Sequence, residues 1–257
     1  SSNGTDYARV VGAYAEGSRL EYIEYTNTPD EAPYSVLRLV SENSLVPDSG
    51  VHFFAGTSGD DTIDGGTAET ISVTGYDGND DITGSPGRDF IDGNSGDDEI
   101  SGGDGHDILR GSDGNDTIDG GAGDDEIYGG SGNDEIIQSG SGTQHYDGGE
   151  GTDTYKINTA AFGHVDEDIK VDLSTGFSGL KDDPDHVLND TLTNIENVDF
   201  SNVNWDLVLN GDENANILKG GTGNDTIDGG AGDDTIYAGD GDDTIIQSGS
   251  GTQHYDG

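Results

Sequence analysis

Residues 111–137 read GSDGNDTID GGAGDDEIY GGSGNDEII, three successive copies of one nine-residue template, G-G-x-G-x-D-x-U-x, in which U is a large apolar residue. A fixed short period outweighs other sequence signals, because it dictates an architecture of stacked units. Copies begin at Gly56, Gly65, Gly75, Gly84, Gly93, Gly102, Gly111, Gly120, Gly129, Ser139 and Gly148. Only one extra residue within 65–74 and Gln138 break the count of nine, and the pattern returns from Gly211 to Gly257.

The chemistry of each position predicts its task. Glycines at positions 1, 2 and 4 admit the positive φ of a tight turn. The x-U-x tail is a minimal strand with one side chain inward and its neighbours outward. The expected inward set is Ile63, Ile82, Ile91, Ile100, Leu109, Ile118, Ile127, Ile136, Tyr146 and Tyr155. Turn, strand, turn, strand makes a coil of eighteen residues, with stacked strands roughly 4.8 Å apart. The expected fold is therefore all-β: a flattened right-handed parallel β-roll, a β-solenoid with a core one side chain thick on each wall.

Position 6 carries the candidate site. One side of the roll stacks Asp61, Asp80, Asp98, Asp116, Asp134 and Asp153. The other stacks Asp89, Asp107 and Asp125, flanked by Thr70 and Gln144. The second array adds Asp225 and Asp243 on one side and Asp234 on the other, with Asn216 and Gln253 expected at its edges. Carboxylates ~5 Å apart repel by roughly 1 kcal/mol in water and roughly 3 at an effective dielectric near 20. A hard cation between rungs reverses that sign. Ca²⁺ accepts six or more oxygens, so two aspartates and the carbonyls of the glycine turns would suffice, whereas Mg²⁺ demands a small octahedron. Thiolate metals have no ligands, because cysteine is absent.

The copies around GGAGDDEIY resemble the nonapeptide repeats of the RTX (repeats-in-toxin) family of secreted bacterial proteins. The resemblance covers about 101 residues of the first array and 47 of the second. It implies a roll loaded with several Ca²⁺ ions, an extracellular or cell-surface location, and export through type I secretion machinery before folding.

Composition agrees with a chain that needs ions to fold. Fifty-four acidic residues stand against nine basic ones, for a net charge of −45, with 45 glycines and only 29% apolar residues. That balance is the signature of disorder in the absence of a partner. It also argues against nucleic acid or an anionic bilayer as partner. No apolar run approaches a membrane span, and residues 1–10 have no signal-peptide core. With no disulfides, ions would take over the stapling role. The chain stops at Gly257, where the first array continues GEGTDTYKI at the equivalent place; a longer parent protein is expected.

Residues 1–55 differ in kind, holding five of the eleven tyrosines and three of the nine basic residues. YARVVGAYA (7–15), SRLEYIEYTN (18–27) and YSVLRLVSE (34–42) read as short strands of a β-rich cap over the first coil, or as the tail of an upstream domain. Residues 56–156 form the first array, 157–210 a degenerate β spacer and 211–257 a second array. The spacer's 54 residues equal three coils. Residues 111–148 and 220–257 match at 31 of 38 positions with an offset of 109, six coils plus one residue. The winding is therefore expected to run through the spacer, the alternative being an unrelated insert between separate rolls. DHVLNDTLT (185–193) keeps Asp190 at position 6 and Leu192 at position 8, DIKVDL (168–173) alternates, and so do Val203, Trp205, Leu207 and Leu209. KDDPDH (181–186) reads as a solvated turn.

No catalytic constellation emerges. Carboxylate pairs are explained by the repeat, His145 and His254 occupy the same outward slot, and the EF-hand start DGNDD (77–81) fails at Ile82 and Arg88. Catalysis is expected, if anywhere, in another part of the parent protein. Three function classes remain: a calcium-dependent secretion and folding module, a calcium-stiffened structural or adhesive rod, and a face for a flat ligand such as a polysaccharide. An ice-binding face would need a regular ladder, and position 3 is irregular (Asp77, Pro86, Ser95, Asp104).

Overall fold

Positions 7 to 9 form a strand in copy after copy, because an isoleucine between two polar residues can bury one side and wet the other. A computed structural model describes residues 9–10, 23–24, 51–158, 169–180 and 189–256, and all regular structure among them is β. Thr62–Asp64, Asp81–Thr83, Glu99–Ser101 and Thr117–Asp119 stack in parallel on one wall. The register places Ile118 opposite both Ile100 and Ile136, eighteen residues away in each direction. Alternate copies build the facing wall from longer strands, such as Phe90–Ser95, Ile108–Asp113 and Glu126–Gly132. The walls hold ten and twelve strands, and together they make the β-roll.

Every member of the expected inward set is buried, at 1% exposure or less. Burying each isoleucine contributes roughly 1.5–3 kcal/mol. The first wall strand, Val51–Ala55, pairs with Thr70–Asp77 and so belongs to the roll, although it falls inside the expected cap. The cap also shows an antiparallel pair, Arg9–Val10 with Ile23–Glu24; the rest of its three expected strands lies outside the described residues.

The glycines divide their labour differently from expectation. Positive φ occurs at positions 2 and 4, as at Gly121 and Gly123, and position 2 keeps it even as Tyr76, Asn94 and Ser112. Position 1 does not have it. There the demand is space: a Cβ on Gly102 would stand 2.6 Å from both Asp107 Oδ2 and the Gly120 carbonyl oxygen of the next coil.

The spacer corrects the three-coil arithmetic. On the ten-strand wall a single strand, Asn197–Asp199, joins Thr154–Ile157 to Ile217–Lys219, all in parallel. The winding therefore continues, but through one coil, and the two arrays share both walls. Ile169–Asp172 and Phe177–Leu180 form an antiparallel hairpin inserted in the twelve-strand wall between Asn189–Thr193 and Leu207–Asn210. Residues 159–168 and 181–188, including KDDPDH, lie outside the described residues.

Two extra strands on one wall widen it by about 10 Å, and large side chains fill the core there. Tyr146 and Tyr155 pack at 5.3 Å between ring centres and Tyr155 and Phe200 at 5.7 Å. The inserted Gln138 is also buried. It accepts the Tyr146 hydroxyl and donates to the Gly140 carbonyl at 2.8 Å.

Space, not φ, makes position 1 intolerant. Gly102→Ala is expected to lower unfolding free energy by about 1–3 kcal/mol. Gly59→Ala, where a Cβ meets nothing within 4 Å, should change it by less than about 0.5 kcal/mol. Denaturant midpoints of the two folded variants compare them directly.

Candidate metal columns

The turn from position 1 to position 6 folds back beneath the next coil, and this brings the position-6 side chains into two columns. Asp61, Asp80, Asp98, Asp107, Asp116, Asp125, Asp134, Asp153, Asp225 and Asp234 are all 5% exposed or less, and Asp89 is fully buried. Asp243, in the last coil, is half-buried.

One hydrogen bond recurs up each column. The position-6 N–H donates to Oδ1 of the position-6 aspartate one coil later: Asp80 to Asp98, Asp98 to Asp116 and Asp116 to Asp134, each at 2.8 Å. The other column repeats it from Asp89 to Asp107 and from Asp107 to Asp125, also at 2.8 Å. Gln144 continues it as a neutral acceptor for Asp125 N–H, then donates its own N–H to Asp190 at 2.9 Å. In the second array Asp225 donates to Asp243, and Asn216 to Asp234, each at 2.9 Å.

Two expected positions move. The rung before Asp89 is Ile71, whose N–H reaches Asp89 Oδ1 at 2.7 Å, and not Thr70; the extra residue within 65–74 lies ahead of the rung and shifts it by one. Asn216 is not an edge residue either. It has Asp234 on one side, and on the other its amide donates to the Glu196 carbonyl at 2.7 Å. Glu196 itself is a rung the aspartate pattern missed: Asp153 N–H donates to Glu196 Oε2 at 2.8 Å. Its signal was E-N-V-D (196–199), positions 6 to 9 with glutamate in place of aspartate.

Each rung spends one carboxylate oxygen on this bond. The other oxygen, Oδ2 of Asp80, Asp98, Asp107, Asp116, Asp125, Asp134 and Asp153, is buried without a hydrogen-bond partner. A buried unpaired acceptor costs about 1–3 kcal/mol, and more when charged. Burial accordingly raises the pKa of Asp80, Asp125 and Asp153 to about 6 and of Asp107 and Asp116 to about 7. Neighbouring carboxylates push the same way, against the stabilising backbone bond.

Among the described residues no three carboxylate or imidazole side chains converge on one point. A cation in these columns would therefore take few carboxylates and complete its shell with main-chain oxygens, such as the Gly120 carbonyl that faces Asp107 Oδ2 over Gly102. Oxygen-only ligation of that kind suits Ca²⁺, and the unpartnered oxygens are where it would bind. His145 is exposed, with Nδ1 2.6 Å from Thr191 Oγ1, outside the columns.

The family model described as RTX calcium-binding nonapeptide repeat (4 copies) matches residues 53–68, 74–109, 101–136 and 210–245. The matches fall on both arrays, starting just inside the expected cap, and leave out all of the spacer but its last residue. No curated protein matches the chain as a relative.

The raised pKa values fix a sign. A buried aspartate that holds its proton to pH 6–7 when folded, but only to about 4 when unfolded, favours the folded state below pH 4 and loses that contribution as pH rises through 6–7. In chelator, acidifying the chain from pH 7.5 to 4.5 should therefore increase strand content by circular dichroism.

Proposed function

This chain belongs to the RTX calcium-binding nonapeptide repeat family, and from that premise we propose that it is a calcium-folded module of a larger exported protein, supporting that protein's secretion, folding and stability. The observation that carries this is the row of buried carboxylate oxygens without a hydrogen-bond partner. Asp61, Asp80, Asp98, Asp116, Asp134, Asp153 and Asp234 would hold ions along one column, and Asp89, Asp107, Asp125, Asp225 and Asp243 along the other.

Bound Ca²⁺ supplies positive charge between rungs. The chain supplies the rest: Oδ1 fixes each carboxylate to the preceding coil, position 1 leaves room beside Oδ2, and the isoleucine stacks exclude water. Each site adds about 2.7 kcal/mol when free ion stands a hundredfold above Kd, so a handful supplies ~10 kcal/mol, comparable to a whole domain's stability. Extracellular modules bind Ca²⁺ with Kd ~10⁻⁴–10⁻³ M, which would keep the chain expanded inside the cell, ready for type I export, and fold it outside.

A second role, docking a polysaccharide or cell surface, draws on the outer face of the twelve-strand wall. Phe53 and Phe90 are exposed there, Arg88 lies 5.1 Å over the Phe90 ring, and Arg110 lies 5.3 Å over Tyr128. In so acidic a chain this is an uncommon concentration of arginine and aromatic surface.

Titrating Ca²⁺ into chelated protein should produce a cooperative gain of strand by circular dichroism, and Mg²⁺ should not replace it. Asp116→Asn, which retains an acceptor for the Asp98 N–H, should raise the calcium midpoint and cost about 2–3 kcal/mol at saturating ion. A chain already fully folded in chelator at neutral pH would reject the proposal.

A further inference from the structure

A regular rung has three marks. Its carboxylate accepts the preceding position-6 N–H, as Asp116 accepts from Asp98 at 2.8 Å. Its position-7 N–H donates to the preceding position-6 carbonyl, as Thr117 does to Asp98 at 2.8 Å. A carbonyl oxygen of its turn faces the preceding Oδ2 across a position-1 glycine, as Gly120 faces Asp107 over Gly102.

The junction between the arrays has all three, though it lies outside the residues that match the repeat model. Glu196 Oε2 accepts Asp153 N–H at 2.8 Å. Asn197 N–H donates to the Asp153 carbonyl at 2.9 Å. The Asn194 carbonyl oxygen and Asp153 Oδ2 both crowd the place where a Gly148 side chain would stand. Asp153 is fully buried, and its Oδ2, aimed into this spot, has no hydrogen-bond partner. The turn here has three residues, 194–196, where the template has six, and the longer glutamate side chain makes up the reach. On the side of the second array a cleft of about 130 Å³, lined by Asn194, Glu196, Asp212 and Asn214 among others, lies next to Glu196.

We propose that Asp153, Glu196 and the Asn194 carbonyl form a further divalent-cation site that clamps the first array to the coil of the spacer. It rests on the calcium-loaded roll proposed above, and it adds that the ion row of one column extends into the spacer. The other column has no such continuity, because the hairpin separates Asp190 from Leu207, whose N–H already turns to Asp225.

Glu196→Gln isolates the ion from the hydrogen bond, since Gln144 shows that an amide oxygen accepts the same N–H at 2.8 Å. Bound calcium is counted by equilibrium dialysis on the full chain, wild type beside Glu196→Gln and Glu196→Asp. Folding is followed by circular dichroism and by the fluorescence of Trp205, the chain's one tryptophan, buried just past the junction. The expected result is one ion fewer in Glu196→Gln, retention of that ion in Glu196→Asp, and a Trp205 transition displaced to several-fold higher calcium than the circular-dichroism transition, where wild type shows the two together. A wild type that binds calcium and a Glu196→Gln variant with the same ion count and coincident transitions would overturn the junction site alone. A wild type that binds no calcium would overturn the loaded roll and the junction site with it.

Discussion

A buried carboxylate that gives one oxygen to a backbone N–H and leaves the other without a partner is the constraint under which the whole molecule is built. The first oxygen ties each coil to the next at 2.8 Å. The second, repeated seven times in the described residues, is a cost of the same order as the gain from the isoleucine that each copy buries. Glycine at position 1, the shallow walls and the extreme acidity all follow from keeping that oxygen close to the turn of the following coil. The charge state of the columns therefore weighs in stability beside apolar area, in a chain with 29% apolar residues.

The spacer shows how such a roll tolerates an interruption. An antiparallel hairpin enters one wall while the opposite wall proceeds through a single parallel strand. Regular coils pack isoleucine on isoleucine, but the widened section needs Tyr146, Tyr155 and Phe200 to reach across. Polar atoms carried inward by that change find partners: Gln138 for Tyr146, Ser178 at 3.1 Å for Tyr155. The aromatic cluster and the hairpin are two halves of one adjustment.

Period and chemistry made the roll, its inward stack and both columns legible in the sequence, because each nine-residue copy repeats the same local instruction. What escaped was non-local. Fifty-four residues divide evenly by eighteen, yet only one coil is wound, because antiparallel pairing of 169–172 with 177–180 satisfies the same alternating pattern as a parallel wall strand. Ile71 displaced Thr70 because a spacing anomaly does not say on which side of the rung the extra residue falls. Glu196 was hidden by a shortened turn that erased its glycines. The template places glycine at position 1 but cannot distinguish a need for positive φ from a need for room.

The recurring bond also has a direction: in a regular rung the buried position-6 N–H finds its acceptor in the coil that follows in sequence, whereas the exposed position-5 N–H finds it in the coil before, as Asn115 does in Asp97 Oδ1 at 2.8 Å. The two ends of the solenoid are therefore inequivalent. Removing a coil from the carboxyl-terminal end takes the carboxylate from a buried position-6 amide, whereas removing one from the amino-terminal end takes the acceptor from an exposed position-5 amide.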